Sequence, residues 1–192
     1  LIDSPVVRGD NLRFSEAGVR EVVRTVLLPY WNAFSFFTTY AEADGITVDD
    51  LDVAPPISER AEIDRWIISV LQSLIRRVNR EMEDYRLYAV ITPILGFIDD
   101  LTNWYIRRSR RRFWSQRGVG DDADKLVAFA TLYEVLVMFS RVAAPVLPFV
   151  TEEMYQRLVR DGATGVVPDS VHHSDYPTAD PAVIDEPLEQ AM

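Results

Sequence analysis

The chain has 192 residues, 48% of them hydrophobic, and a formal net charge of −10, which suits one sizeable folded core and excludes a disordered chain. It contains no cysteine, so neither a disulfide framework nor a thiolate zinc site can form, and a reducing compartment suits it. No apolar run reaches the ~18 to 20 residues of a membrane span and no signal-peptide pattern is present, so the expectation is a soluble, cytoplasmic chain without a membrane partner.

Nearly every periodic segment steps by three or four residues, and no alternating strand exceeds three or four. An all-α helical bundle of about five main helices is predicted. Residues 15–43 open on Ser15 as a cap and run through Val19, Val22, Val23, Val26 and Leu27 to Trp31, Phe34 and Phe37, with a kink expected at Pro29 and a stop at Asp44-Gly45. After a polar, acidic connection over 46–56, Ser58 is expected to start the most regular helix. There Ile63, Trp66, Ile67, Val70, Leu71, Leu74, Ile75 and Val78 form one apolar face, with Arg65, Gln72, Arg76, Arg80 and Glu83 solvated opposite.

A third helix is expected over 86–116, bent at Pro93, and a fourth from Asp121 or Asp122 through Phe139 to before Pro145. A short fifth begins at Pro148, with Thr151, Glu152 and Glu153 at its positive end. From Gly162 the chain loses periodicity and reads as a tail wrapped over the surface or partly mobile. Pro187-Leu188-Glu189-Gln190 then resembles the first turn of a further helix. Together with an opening Leu1 that has no start signal, this suggests a piece of a longer protein.

The third helix carries the most unusual segment. Residues 103–117 (NWYIRRSRRRFWSQR) hold six arginines and no acid, and without those six charges the remainder of the chain stands at −16. At about 100° per residue, Ile91, Leu95, Ile98, Thr102, Tyr105, Ile106, Ser109 and Phe113 share a core-facing stripe. Arg107, Arg110 and Arg111 project away from it with Asn103 and Trp114 on their side, and Arg108 and Arg112 flank the stripe. Arginine supplies 19 of the 20 basic residues. A guanidinium grips phosphate with two bonds and also stacks on a base, which an ammonium does not. Nucleic acid, and RNA before DNA, fits such a patch. An alternative stands beside it: the cations neutralise Asp99, Asp100 and the acids at Asp121, Asp122 and Asp124. Trp104 and Tyr105 read as core, whereas Trp114 is open to either role.

Other chemistry is sparse. The two histidines, His172 and His173, are adjacent in the tail, so no helical metal-ligand pair exists. Eight glycines are scattered without phosphate-loop spacing. No catalytic residue and no metal site are assigned, and the chain by itself is expected to be inactive as an enzyme.

Five segments occur in a recognisable order: residues 4–15 (SPVVRGDNLRFS), 26–32 (VLLPYWN), 62–67 (EIDRWI), 99–114 (DDLTNWYIRRSRRRFW) and 144–153 (APVLPFVTEE). With residues 170–177 (SVHHSDYP), they resemble the helical anticodon-binding domain of the isoleucyl-tRNA synthetases, class I aminoacyl-tRNA synthetases, in their eukaryote-like form. The likeness covers residues 4–177, and the equivalent domain of the valyl enzymes is the nearest alternative within the group. A structural bundle docking a protein partner is the alternative from another class.

The resemblance implies a parent that ligates isoleucine to tRNA(Ile) with ATP and Mg²⁺ on a catalytic domain absent from these residues, so no cofactor is expected here. It implies a junction to that domain over 1–14, an anticodon-binding bundle over 15–162, and an irregular tail with the start of a further region over 163–192. It also gives Arg107, Arg108, Arg110, Arg111, Arg112, Asn103 and Trp114 a tRNA-binding role. Arg8, Asn11 and Arg13 then face the catalytic domain or the tRNA corner. A monomer is expected.

Overall fold

The computed structural model describes residues 15–192 apart from 53, 117, 119–121 and 164. Arg8, Asn11, Arg13 and the junction over 1–14 therefore lie outside the described residues, as do Arg117 and Asp121. The described residues form helices joined by turns and irregular connections, without a strand, as the spacing predicts.

Ser15 is extended, and its hydroxyl accepts the Gly18 N–H at 3.2 Å, opening α1 (Glu16–Val22). A π turn (Val23–Leu27) follows and passes directly into α2 (Leu28–Asp44). The expected kink at Pro29 takes this form for a physical reason. Proline has no N–H and its ring crowds the carbonyl four residues back, and here the ladder widens just ahead of it, with the Leu28 N–H reaching Val23 O. Gly45 ends the rod at φ 62°, the left-handed conformation a glycine adopts without penalty.

The acidic connection contains a short α3 (Val48–Leu51), closed by a reciprocal cap between Thr47 and Asp50. Ser58 does not begin the next helix. It is spent in a 3₁₀ turn (Ile57–Glu59), and α4 (Glu62–Glu83) starts four residues later. Its apolar face is as predicted, with Trp66, Ile67, Leu71, Leu74, Ile75 and Val78 buried.

The third rod is α5 (Tyr88–Asp99), a π turn (Asp100–Ile106) and α6 (Arg107–Trp114). The constant 100° projection succeeds at Ile98, Tyr105, Ile106, Ser109 and Phe113, which are buried, but fails at Ile91 and Leu95 in α5. Val90, Ile94, Phe97 and Leu101 fill the core, and Ile91 and Leu95 are only half-buried. A π turn accommodates an extra residue per turn, so a single helical period cannot be carried through it.

Helix α7 (Asp122–Ala143) is the centre of the bundle and packs on α2, α3, α4, α6 and α8 (Pro148–Tyr155). Phe129, Leu132, Val135, Leu136 and Phe139 are fully buried. Contrary to the sequence expectation, α7 is long and apolar enough to cross a membrane by length and composition, but 61% of that stretch is buried inside the bundle, as in a core helix.

A π turn (Gln156–Arg160) extends α8, and the tail wraps the bundle as far as α9 (Glu186–Ala191). Glu152 anchors the wrap by accepting from Ser170 Oγ at 2.8 Å and the Val171 N–H at 2.9 Å. Partial burial pushes its carboxyl up, and hydrogen bonds from Gln156, Ser170 and Val171 outweigh that and hold it below the usual carboxylate range. Part of the α4 face expected to be solvated is covered: the Asp180 N–H donates to Gln72, Asn79 donates to Pro177 O, and Arg76 pairs with Glu186.

Candidate nucleic-acid interface

The orientation of α6 is set by one buried ionic cluster. Asp64, in the first turn of α4, is completely buried. Arg112 grips it with two parallel bonds, Nη1 to Oδ1 at 2.8 Å and Nη2 to Oδ2 at 2.7 Å, and Tyr105 adds its hydroxyl to Oδ1 at 2.8 Å. The same guanidinium reaches Asp124 at the start of α7 through Nε (2.8 Å) and Nη2 (2.7 Å). Burial pulls the Arg112 guanidinium down, but its bonds to Asp64 and Asp124 reverse that and raise it above the usual arginine value. Burial, joined by the Asp64 charge, pushes the Tyr105 phenol well up, so it stays a neutral donor.

Arg112, which the sequence places flanking the core stripe and the resemblance includes in the tRNA-binding set, is thus turned inward. Its donors are consumed by two carboxylates in the way the neutralising alternative describes. The consequence for its neighbours is the opposite. With Arg112 held inward, residues one, two and five positions earlier are turned roughly 100°, 160° and 140° away from it. Those residues are Arg111, Arg110 and Arg107, and all three are exposed.

No ion pair or hydrogen bond ties the side chains of Arg107, Arg110 or Arg111 to another described residue. Arg108, also exposed, lies over the Trp104 ring at 4.5 Å, and Arg110 lies 5.7 Å from the centre of the Trp114 ring. Trp114 is 54% exposed at the end of the helix, with Tyr40 of α2 at 6.3 Å behind it. Asn103 is exposed on the same rod one turn before Arg107 and donates Nδ2 to Asp99 Oδ1 at 2.6 Å. The sequence reading of Trp104 and Tyr105 as core holds for Tyr105, which is buried, while Trp104 is half-buried against Trp66.

The chain's one lysine has a structural task. Lys125 is 2% exposed, pairs with Asp44 at 2.6 Å and donates to Ser115 O at 2.6 Å, so it closes the C-terminal end of α6 against α2 and α7. Neither Asp64 nor Lys125 is identified by sequence spacing. The only signal is an acid and a base on the buried sides of otherwise apolar helices.

The patch can hold a polyanion with planar groups: four guanidiniums for phosphates and one accessible indole for stacking. Among the described residues no cluster of three or more histidine or acidic side chains is placed to hold a metal ion.

Residues 64–192 match the family described as the anticodon-binding domain of tRNA ligase. Among curated proteins, the chain is 51% identical over 177 residues to isoleucine–tRNA ligase of Chlamydia trachomatis serovar D, covering 92% of this chain and 16% of that protein. The Chlamydia muridarum isoleucine–tRNA ligase is 48% identical over the same extents. That of Chlamydia caviae is 44% identical over 192 residues, all of this chain and 18% of the relative. The chain therefore spans less than a fifth of the length of these relatives.

Proposed function

The chain belongs to the anticodon-binding domains of tRNA ligases, and from that premise we propose that it grips the anticodon arm of tRNA(Ile) for a parent isoleucine–tRNA ligase. The relatives' identity favours the isoleucine reading over the valyl alternative. The observation that carries the RNA-binding site is the face of α6. Arg107, Arg108, Arg110 and Arg111 are exposed together, held outward by the buried Arg112–Asp64 pair, in a chain of net charge −10.

Within this proposal Arg107, Arg110 and Arg111 take phosphates, Arg108 flanks them, Trp114 offers a stacking surface and Asn103 a hydrogen-bonding edge. Arg112 supports the site by holding the helix. Arg8, Asn11 and Arg13 face the catalytic domain or the tRNA corner. The bundle over 15–162, with the tail over 163–192, works as a monomeric cytoplasmic holding module that needs no cofactor of its own. Isoleucine activation with ATP and Mg²⁺ belongs to the parent's catalytic domain.

Measured tRNA binding tests this. Four arginines releasing counterions from a partly single-stranded target give a log–log slope of affinity against salt of about −3. Replacing Arg107, Arg110 and Arg111 together by glutamate is expected to abolish binding with unchanged helical circular dichroism. Undiminished binding by the triple variant would refute the assignment of the patch.

A further inference from the structure

Beside the arginine face lies a groove of about 380 Å³ between α2 and the third rod. Its apolar side is formed by Ala33, Phe36 and Ile106, and its polar edge by the carboxamides of Asn32 and Asn103, with Arg110 at the arginine end. Phe36 is fixed in place, edge-on to Phe113 at 5.1 Å and 4.8 Å from Tyr40. The site is therefore a supported surface, with hydrogen-bonding groups along one border and a cation at its mouth.

We infer that this groove receives the base of one unpaired RNA nucleotide, whose edge is read by Asn103 and Asn32 while Arg110 holds the adjoining phosphate. The inference rests on the proposed anticodon-arm reading and deepens it. An apolar surface bordered by carboxamides matches a nucleobase: the faces want dispersion contact and the edge wants hydrogen bonds. A free anion has no use for the phenylalanine side. A paired base has its edge already engaged, so the occupant comes from a loop.

The border also selects among bases. Asp99 can only accept, so the NH₂ end of Asn103 faces it, and the Asn103 oxygen is left unengaged. Thr102, which shares the border, donates its hydroxyl hydrogen to Ile98 O at 2.7 Å and presents oxygen lone pairs. Acceptors in that position favour a base with an exocyclic amino group over uracil. The Asp99 carboxylate behind Asn103 repels phosphate, which turns the base inward and the backbone toward Arg110.

The test uses the full chain and an RNA anticodon stem-loop in which each unpaired amino-bearing base is replaced in turn by its analogue lacking the amino group. At one loop position the replacement is expected to weaken binding roughly tenfold, the size of one lost hydrogen bond to a buried edge. Asn103→Ala is expected to bind the intact loop roughly tenfold more weakly, to lose discrimination at that position, and to keep the salt slope of the parent chain. Asn32→Ala, at an exposed helical position, is expected to reduce the same discrimination, with circular dichroism confirming the fold of both. If both variants discriminate as the parent chain does, or if no position responds, the groove does not read a base, although the arginine face still binds. Absence of saturable stem-loop binding by the parent chain overturns both readings.

Discussion

At the scale of single residues, Asp64 matters most. It is a fully buried carboxylate whose charge is matched by one guanidinium and one phenol hydroxyl. Removing one partner of such a set leaves the others buried without compensation, which costs more than the pair contributed. Asp64→Ala is expected to lower unfolding free energy by about 3 to 5 kcal/mol, read as a shift of the urea midpoint at an unchanged slope. Asp64→Asn, which keeps an acceptor for Tyr105, is expected to cost less. A loss under about 1 kcal/mol for the alanine variant would mean that the carboxylate does not fix α6. Sequence periodicity does not reveal this role of Asp64, for a definable reason. Hydropathy periodicity places an acid on α4 but carries no information about a cation 48 positions later, and pairing at that distance is decided only when helices pack. For Arg112 the helical projection gives the flanking azimuth, but the two carboxylates that consume its donors lie on other helices and are outside the reach of that projection.

At the scale of elements, local chemistry was legible wherever it decides the outcome locally. Ser15 and Gly45 bound the first rod as expected, and α9 begins at the proline-containing turn that the sequence marked. Two departures, the late start of α4 and the half-burial of Ile91 and Leu95 in α5, occur where a 3₁₀ or π turn breaks the 3.6-residue period. The tail was legible only as a departure from periodicity, and its order comes from tertiary contacts. Leu188 is buried against the bundle, Ser69 Oγ donates to Glu189 and Ser73 Oγ donates to the same carboxylate at 2.9 Å. The Arg76–Glu186 pair in the same contact is more than half exposed on both sides and adds little. The buried serine decides the energetics, since losing its acceptor leaves it with the Asp185 N–H alone. Glu189→Ala is expected to loosen α9 by about 1 to 2 kcal/mol, seen as faster amide exchange in Glu186–Ala191 while α7 stays protected. Equal acceleration in α7 would show that the tail and bundle unfold as one unit.

At the scale of the whole molecule, the decisive property is the contrast between a face of four exposed arginines and a formal charge of −10. Without those four charges the rest of the chain stands at −14, so repulsion averaged over the remaining surface favours the orientations in which RNA docks on this face before any base is touched. Charge alone, however, does not explain why the face is built from arginine. Substituting Arg107, Arg110 and Arg111 together by lysine preserves every formal charge and removes the planar forks. The salt slope is then expected to stay within about 0.5 of the parent value, because counterion release counts charges. Affinity is expected to fall roughly tenfold, because two-bonded phosphate contacts and guanidinium stacking are lost. Parent-like affinity in the lysine variant would mean that the face acts as an undifferentiated cationic surface. A collapsed slope would mean that the helix no longer presents the three positions together, which points back to the Asp64–Arg112 contact that orients it.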